Sequence, residues 1–267
     1  MPHVYPIYLV IDASDSMNDV IEEAEDDTDV ALDDENSAAD VKRETLIDYA
    51  LNIPRAFYEE YENNVSLEKQ LLVSVIAFNK TAEVVHRLSS VRELESFKNL
   101  EATSKTYYSE AFKKVKEQIE LDYASPAAVD WKQPAVIFVT DGGPNDPLDV
   151  RSYWFEQLVP RKVDGSIDTS RFEHSPHFIV FAFRDVRRDV LKRYVSNPEF
   201  LFIADPNASL RIQFNQIIKQ ITETTFTSVY ADYQNKSKKW NPIIKRGLIE
   251  FSNGDSNYDP DQYNPLE

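Results

Sequence analysis

The sequence predicts an α/β domain built on a doubly wound, mostly parallel sheet with one antiparallel edge strand. Short apolar runs of strand length alternate with longer segments whose apolar residues recur at helical spacing. The strand runs are apolar almost throughout, which is typical of parallel strands that are covered on both faces. One pair of runs is joined by a tight connection, and its second member alternates as an antiparallel neighbour does.

Each element follows from its own pattern. The predicted strands are, in chain order, 7–11, 71–78, 81–88, 134–140, 177–183 and 200–203. The predicted helices lie at 41–62, 93–100, 107–119 (after a loop at 103–106), 148–158, 186–195 and 208–222. Pro54 predicts a kink or a break in the first helix, because proline removes a hydrogen bond and crowds the preceding turn. No repeat or linker divides the body, so we expect one domain over residues 1–225.

The net charge of −17 is concentrated in two segments. Residues 19–40 contain eleven Asp or Glu and no Lys or Arg, and residues 247–267 contain five and none. These segments carry −16 of the −17, so the body is nearly neutral. We therefore expect no nucleic-acid partner, since phosphate contacts need clustered positive charge. A cation, or a basic patch on another protein, is the favoured partner.

Two acidic regions extend the body. The insertion at 18–40 is expected to be a solvated loop or frayed helix, and its functional alternative is an arm that regulates the neighbouring site. Residues 226–267 are expected to form a partly docked C-terminal extension whose tail, 252–267, is disordered. The chain has no cysteine, signal-peptide pattern or membrane-spanning apolar run. We expect a cytoplasmic protein that does not contact membranes.

A basic cluster stands out against the neutral body. It is predicted to be the solvated face of the helix at 186–195. The alternative is a docking surface for an acidic segment, including one of this chain. Its members are Arg184, Arg187, Arg188, Lys192 and Arg193.

Oxygen-bearing side chains occur at three places along the predicted sheet. The first strand ends in a D-x-S-x-S motif with Asp12, Ser14 and Ser16, Thr106 opens a helix, and Asp141 follows another strand. Open α/β sheets bind ligands beyond the carboxyl ends of their strands, where such residues meet. Hard oxygen donors suit a magnesium- or manganese-type ion. Threonines in the stretch 103–106 are also expected to supply N-cap hydroxyls.

The D-x-S-x-S motif at 12–16, the threonine and T-D-G at 140–142 together resemble a von Willebrand factor A (VWA) domain over about residues 5–223. Y-L-V-I-D-A-S-D-S-M and V-I-F-V-T-D-G-G-P-N-D are most similar to the bacterial tellurium-resistance (TerY-like) type. The resemblance implies a Rossmann-like fold and a metal-ion-dependent adhesion site (MIDAS). Ser14 and Ser16 would then bind the metal directly and Thr106 directly or through water. Asp12 and Asp141 would act through water or by orienting other ligands.

The same resemblance implies a non-enzymatic binding module. Another protein would supply an Asp or Glu to the metal, which is expected to be Mg²⁺, with Mn²⁺ or Ca²⁺ as alternatives. The implied setting is a bacterial stress-response or signalling assembly. The identity of the partner and the oligomeric state are left open.

Two other functions remain. A metal-dependent hydrolase or phosphotransferase is one, because carboxylates at strand ends also hold catalytic magnesium. Against it, Ser14 stands where a phosphatase of the haloacid-dehalogenase type has a second aspartate, and neither a Walker loop nor a nucleophile elbow occurs. A scaffold with a degenerate metal site is the other. Many relatives have a glycine-rich second loop, whereas this chain has S-K-T-Y at 104–107.

Overall fold

The computed structural model describes residues 3–20, 45–62, 71–96, 100–125, 129–183 and 186–204, the side chains of 3, 55–62 and 95–96 excepted. Most of the acidic insertion, the helix predicted at 208–222 and the C-terminal extension lie outside the described residues. The expected domain boundary at residue 225 lies outside them too.

Seven strands form one sheet in the described part of the chain. They are β1 His3–Asp12, β2 Leu71–Phe78, β3 Ala82–Ser90, β4 Asp130–Trp131, β5 Ala135–Thr140, β6 His177–Ala182 and β7 Leu201–Ile203. The order is β3-β2-β1-β5-β6-β7, with β4 beside the first residues of β1. Only β2 and β3 pair antiparallel, with β3 at the edge. The predicted fold class is confirmed, although β4, which is two residues long, was not predicted.

Among the described residues, four α-helices connect these strands. They are α1 Leu46–Glu62, α2 Tyr108–Tyr123, α3 Leu148–Leu158 and α4 Arg188–Leu191. Short 3-10 turns cover Asp15–Asn18, Val91–Ser96, Lys192–Tyr194 and Pro198–Phe200. Pro54 lies within α1, which continues past it as one helix and does not break. The helix predicted at 186–195 is a single α-turn followed by a 3-10 turn.

The centre of the sheet is covered on both faces. Residues 7–11 of β1 and 136–139 of β5 are fully buried, which explains why these stretches are nearly continuous apolar runs. On one face, the Phe112 ring of α2 lies 5.6 Å from Phe138 of β5 and 5.4 Å from Phe155 of α3. Tyr194, just after α4, lies 5.4 Å from both Phe112 and Phe155. These rings hold α2, α3 and the α4 region on one side of the sheet.

The topology places the switch point of the sheet beside β1. The chain passes from β1 to β2 on one side, and β5 pairs with β1 on the other. The strand order therefore reverses at β1, and a crevice opens beyond the carboxyl ends of β1 and β5. Ligands bind at such switch points in open α/β sheets. The residues that follow β1 and β5 are those of the predicted site.

Candidate metal centre

Asp12, the last residue of β1, is fully buried and its carboxylate is held from two sides. Its Oδ1 accepts a hydrogen bond from the backbone N–H of Ser14 at 3.0 Å, and its Oδ2 accepts one from the Thr140 hydroxyl at 2.7 Å. Burial raises the pKa of Asp12 to about 7; the hydrogen bonds from Ser14 and Thr140 lower it, and the charge of Asp141 raises it. No basic side chain is among these causes. A cation bound here would therefore compensate a buried negative charge.

Ser14 and Ser16 present two hydroxyls on the turn that follows Asp12. Their Oγ atoms are 3.2 Å apart. Adjacent ligands of a six-coordinate divalent cation lie about 2.8–3.7 Å apart when metal–oxygen distances are 2.0–2.6 Å. Ser14 is buried, whereas Ser16 is exposed. The pair therefore fits two neighbouring positions around one cation, the second facing solvent.

Two backbone hydrogen bonds join the first loop to the loop that carries Thr106. The N–H of Thr103 donates to the Ala13 carbonyl at 2.8 Å, and the N–H of Asp15 donates to the Ser104 carbonyl at 2.9 Å. Ser104 has a φ of 70°, in the left-handed region that favours glycine. The loop without glycine thus keeps a conformation that glycine adopts more easily. Its backbone follows the first loop at the cost of local strain.

Thr106 is joined in turn to the loop after β5. Its N–H donates to the side-chain oxygen of Asn145 at 2.9 Å, and its carbonyl accepts from the N–H of Asn145 at 2.7 Å. Thr106 is buried. The alternative residue, Thr103, is exposed, and its hydroxyl accepts from the Asn79 amide at 3.4 Å. Of the two threonines, Thr106 is the one tied to the third loop.

The N-cap prediction for this stretch is wrong. Tyr107 occupies the N-cap position of α2, and its side chain forms no capping hydrogen bond. The carboxylate of Asp146 accepts instead from the N–H groups of Tyr108, at 3.3 Å, and Ser109, at 2.9 Å. Asp146 is 37 residues beyond Ser109 in sequence, so only the fold brings it to the helix. The Thr106 hydroxyl is therefore not used to cap α2.

The third loop begins with Thr140, Asp141 and Gly142. The Thr140 hydroxyl, besides its bond to Asp12, accepts from the N–H of Gly142 at 3.0 Å and lies 2.9 Å from the Tyr108 hydroxyl. Asp141 is half-buried and close enough to Asp12 for its charge to raise the pKa of that carboxyl. Gly142 has a φ of 90°, and a Cβ there would overlap the Val186 side chain. This turn therefore requires glycine both for its positive φ and for the lack of space beside Val186.

The fold thus places all five predicted residues, Asp12, Ser14, Ser16, Thr106 and Asp141, on three loops that are hydrogen-bonded to one another. Within the described ranges, no group of three His, Cys, Asp or Glu side chains is arranged to hold a metal. A cation here would depend on hydroxyl donors supplemented by two carboxylates. That donor set fits a hard divalent cation.

Sequence reasoning missed three residues that position this site. Thr140 holds Asp12, Asn145 holds the backbone of Thr106, and Asp146 caps α2. Thr140 was visible as part of T-D-G, and the other two follow in P-N-D. Their partners lie 37 to 128 residues away, and no local spacing rule predicts such pairs.

No family model matches the sequence, and no curated protein is similar to it. Solved structures do match. Two structures of proximal thread matrix protein 1 from the mussel byssus are 12% and 14% identical over 82% of this chain, each with a TM-score of 0.51. The second has a zinc-occupied MIDAS motif. A von Willebrand factor type A protein from Catenulispora acidiphila is 13% identical over 81% of this chain, with a TM-score of 0.46.

These likenesses concern the fold. The matches cover 47%, 46% and 42% of those proteins, so this chain spans about half their length. The mostly parallel sheet with one antiparallel pair, flanked by helices, is the Rossmann-like VWA fold. Separately, none of the helices among the described residues is long and apolar enough to cross a membrane.

Proposed function

We propose that this chain is a non-enzymatic, metal-ion-dependent protein-binding module of the adhesion type. The observation that carries the proposal is the buried carboxylate of Asp12, held by Ser14 and Thr140 beside the paired hydroxyls of Ser14 and Ser16. The zinc-occupied MIDAS motif of the mussel protein supports a divalent cation in this fold. Mg²⁺ is the ion we propose, with Mn²⁺ and Ca²⁺ as alternatives.

The proposed roles follow from position. Ser14 and Ser16 bind the cation directly, and Thr106 binds it directly or through water. Asp12 and Asp141 act through water or by orienting those ligands. Thr140 and Asn145 hold the loops in register through their hydrogen bonds to Asp12 and Thr106.

The partner is a protein that presents an Asp or Glu. A divalent cation supplies, when bound, a coordination position that a carboxylate from outside completes. Among the described residues, the two carboxylates at the site are those of Asp12 and Asp141, so much of the cation's charge stays available to a partner. Lys105, exposed beside Thr106, adds positive charge at the rim. An acidic side chain is the group that this arrangement attracts most strongly.

The proposed setting is a bacterial stress-response or signalling assembly in the cytoplasm. It is supported by the resemblance to the tellurium-resistance type of VWA protein in Y-L-V-I-D-A-S-D-S-M and V-I-F-V-T-D-G-G-P-N-D. The strand and the turn that these stretches span carry four of the five proposed metal-site residues.

Calorimetric titration with Mg²⁺ and Mn²⁺ tests the metal. We expect saturable binding that is lost in the double variant Ser14→Ala/Ser16→Ala and kept in Ser125→Ala, a control at an exposed serine just past the end of α2. A pull-down in magnesium and in EDTA then tests the partner, which should be captured only with magnesium.

The two alternative functions, a hydrolase and a scaffold with a degenerate metal site, each predict a different experimental result. Turnover of a model phosphoester that requires the cation and is lost in the serine variant would replace the binding module with a hydrolase. Failure of the intact chain to bind any divalent cation would leave a scaffold with a degenerate site.

A further inference from the structure

The outer face of α4 and its following turn is basic. Arg187, Arg188, Lys192 and Arg193 are all exposed on it, against one acidic residue, Asp189. Arg187 pairs with Asp189 at 2.7 Å. Arg188 and Arg193 form no ion pair with any residue in the described ranges. We call these four basic residues the α4 face. It is a local excess of positive charge on a body that is otherwise nearly neutral.

The α4 face borders the edge of the sheet that holds the candidate metal centre. The N–H of Phe183, just after β6, donates to the carbonyl of Thr140 at 2.9 Å. Val186 lies so close to Gly142 that a Cβ on the glycine would overlap it. Arg187 and Arg188 follow directly. The residue just before the α4 face, Val186, therefore contacts the loop that contains Asp141.

The described chain ends at the same edge. Strand β7 runs parallel to β6, and the N–H of Ala204 donates to the Ala182 carbonyl at 2.9 Å. Because α4 is the crossover between β6 and β7, Ala204 leaves the sheet beside the start of the α4 face. Sixty-three residues follow Ala204, and the last 21 of them, 247–267, contain five acidic residues and no basic one.

The length of the intervening chain permits contact. Forty-two residues separate Ala204 from residue 247. Such a chain spans up to about 140 Å when fully extended. A domain of about 200 residues has a radius of gyration of only about 16 Å. The linker is therefore long enough for the acidic segment to contact any part of the α4 face. Because the segment is tethered to the same chain, its effective concentration there is raised.

The other acidic segment starts from a different place. Val20 and Thr45 pair as an isolated bridge, and the N–H of Leu46 donates to the Asp19 carbonyl at 3.1 Å. Val20 and Thr45, between which most of that segment lies, are thus both held beside the start of α1, which leads towards β2. Strands β1 and β5 lie between β2 and β6. The chain that leads to residues 247–267 leaves the sheet at Ala204 beside the α4 face, whereas the insertion is anchored on the other side of β1 and β5.

We propose that the acidic segment 247–267 docks in cis on the α4 face. Its carboxylates meet Arg188 and Arg193, and the docked segment lies beside the metal-binding edge. An acidic partner that approaches this edge then has to compete with the segment. This last consequence rests on the proposed function, whereas the docking itself needs no metal.

Zero-length carbodiimide cross-linking of the full chain tests the docking. The reagent joins the Lys192 amine to a carboxylate in contact with it, and peptide mass spectrometry identifies the pair. With EDTA at low salt, we expect cross-links from Lys192 to Asp255, Asp259 or Asp261. Raising the salt to about 0.5 M should reduce their yield, because exposed ion pairs are screened.

Two double charge-reversal variants, one on the α4 face and one outside it, allow the cross-link yields to be compared. Arg188→Glu/Arg193→Glu should lower the yield about tenfold, since two ion pairs are lost and two repulsions are added. Lys162→Glu/Arg171→Glu makes the same charge change at two exposed residues outside the α4 face and should leave the yield unchanged. Circular dichroism checks that both variants fold.

Three results would overturn the docking: an equal yield in both double variants, cross-links from Lys192 chiefly to residues 19–40, or cross-links chiefly between isotopically distinct copies. Because cross-linking is done in EDTA, these results leave the metal proposal unaffected. Loss of cation binding in the serine variant would likewise leave the docking unaffected.

Discussion

The hydroxyl of Thr140 donates to Oδ2 of Asp12 at 2.7 Å, across the neighbouring strands β5 and β1. Both residues are fully buried, and they are 128 positions apart in sequence. The same hydroxyl accepts from the N–H of Gly142 and lies 2.9 Å from the Tyr108 hydroxyl. One side chain thus connects the first loop, the third loop and helix α2.

We expect Thr140→Val to lower the free energy of unfolding by about 2–4 kcal/mol, because it leaves buried polar groups of Asp12 and Gly142 unsatisfied. Valine has nearly the same shape as threonine, so the loss of stability reflects the missing hydroxyl. Chemical denaturation measures it. Thr140→Ser restores the hydroxyl and should recover most of the loss; equal destabilisation by valine and serine would contradict this role.

The substitution Asp12→Asn should raise stability in the absence of a cation and remove the gain in stability that a cation gives. At pH 8 in EDTA the buried carboxylate is ionised without a cation, which costs stability because burial raises its pKa to about 7. The neutral amide removes that cost, so we expect the variant to be more stable than the intact chain by about 1–3 kcal/mol. Thermal denaturation measures the difference.

The intact chain and the Asp12→Asn variant should differ in how much thermal stability they gain from added Mg²⁺. The intact chain gains thermal stability, since a ligand that binds only the folded state stabilises it, whereas Asp12→Asn shows little gain. An equal gain in both proteins would mean that the cation binds elsewhere.

Ser104→Gly should stabilise the protein. Ser104 has a φ of 70°, where a side chain costs about 1–2 kcal/mol and glycine costs little. Part of this gain is offset by the greater freedom of glycine in the unfolded chain, so we expect about 0.5–1 kcal/mol in urea denaturation. Ser104→Ala keeps a Cβ and should show no such gain. A loss of stability on glycine substitution would show that the serine side chain itself supports the loop.

Gly142→Ala should destabilise the turn after β5 by about 1–3 kcal/mol, since a Cβ would overlap Val186 and the φ of 90° disfavours it. Adding Val186→Ala removes the overlap but not the backbone strain. The double variant should therefore recover only part of the loss, as measured by thermal denaturation with Val186→Ala alone as the reference. Complete recovery would assign the whole effect to crowding.

The spacing of apolar residues within each segment predicted most of the strands and helices, because that spacing depends only on neighbouring residues. The bounds predicted for β2 and α3 agree with those of the structure, since a continuous apolar run and a helical period each identify an element without help from distant residues. β4 has only two residues, too few to show a period. Helix α2 begins at Tyr108, just after the loop predicted at 103–106, but the residue that caps its first N–H groups, Asp146, was not predicted.

The sequence by itself determined the sheet and the oxygen donors that follow its strands. Strand ends and hydroxyl-rich loops are properties of contiguous residues, so Asp12, Ser14, Ser16, Thr106 and Asp141 were identifiable from the chain alone. Only the tertiary structure decided which groups hold them: Thr140 for Asp12, Asn145 for Thr106 and Asp146 for the start of α2. These hydrogen bonds join residues far apart in the chain, and they form only when sheet pairing brings the carboxyl ends of β1 and β5 side by side.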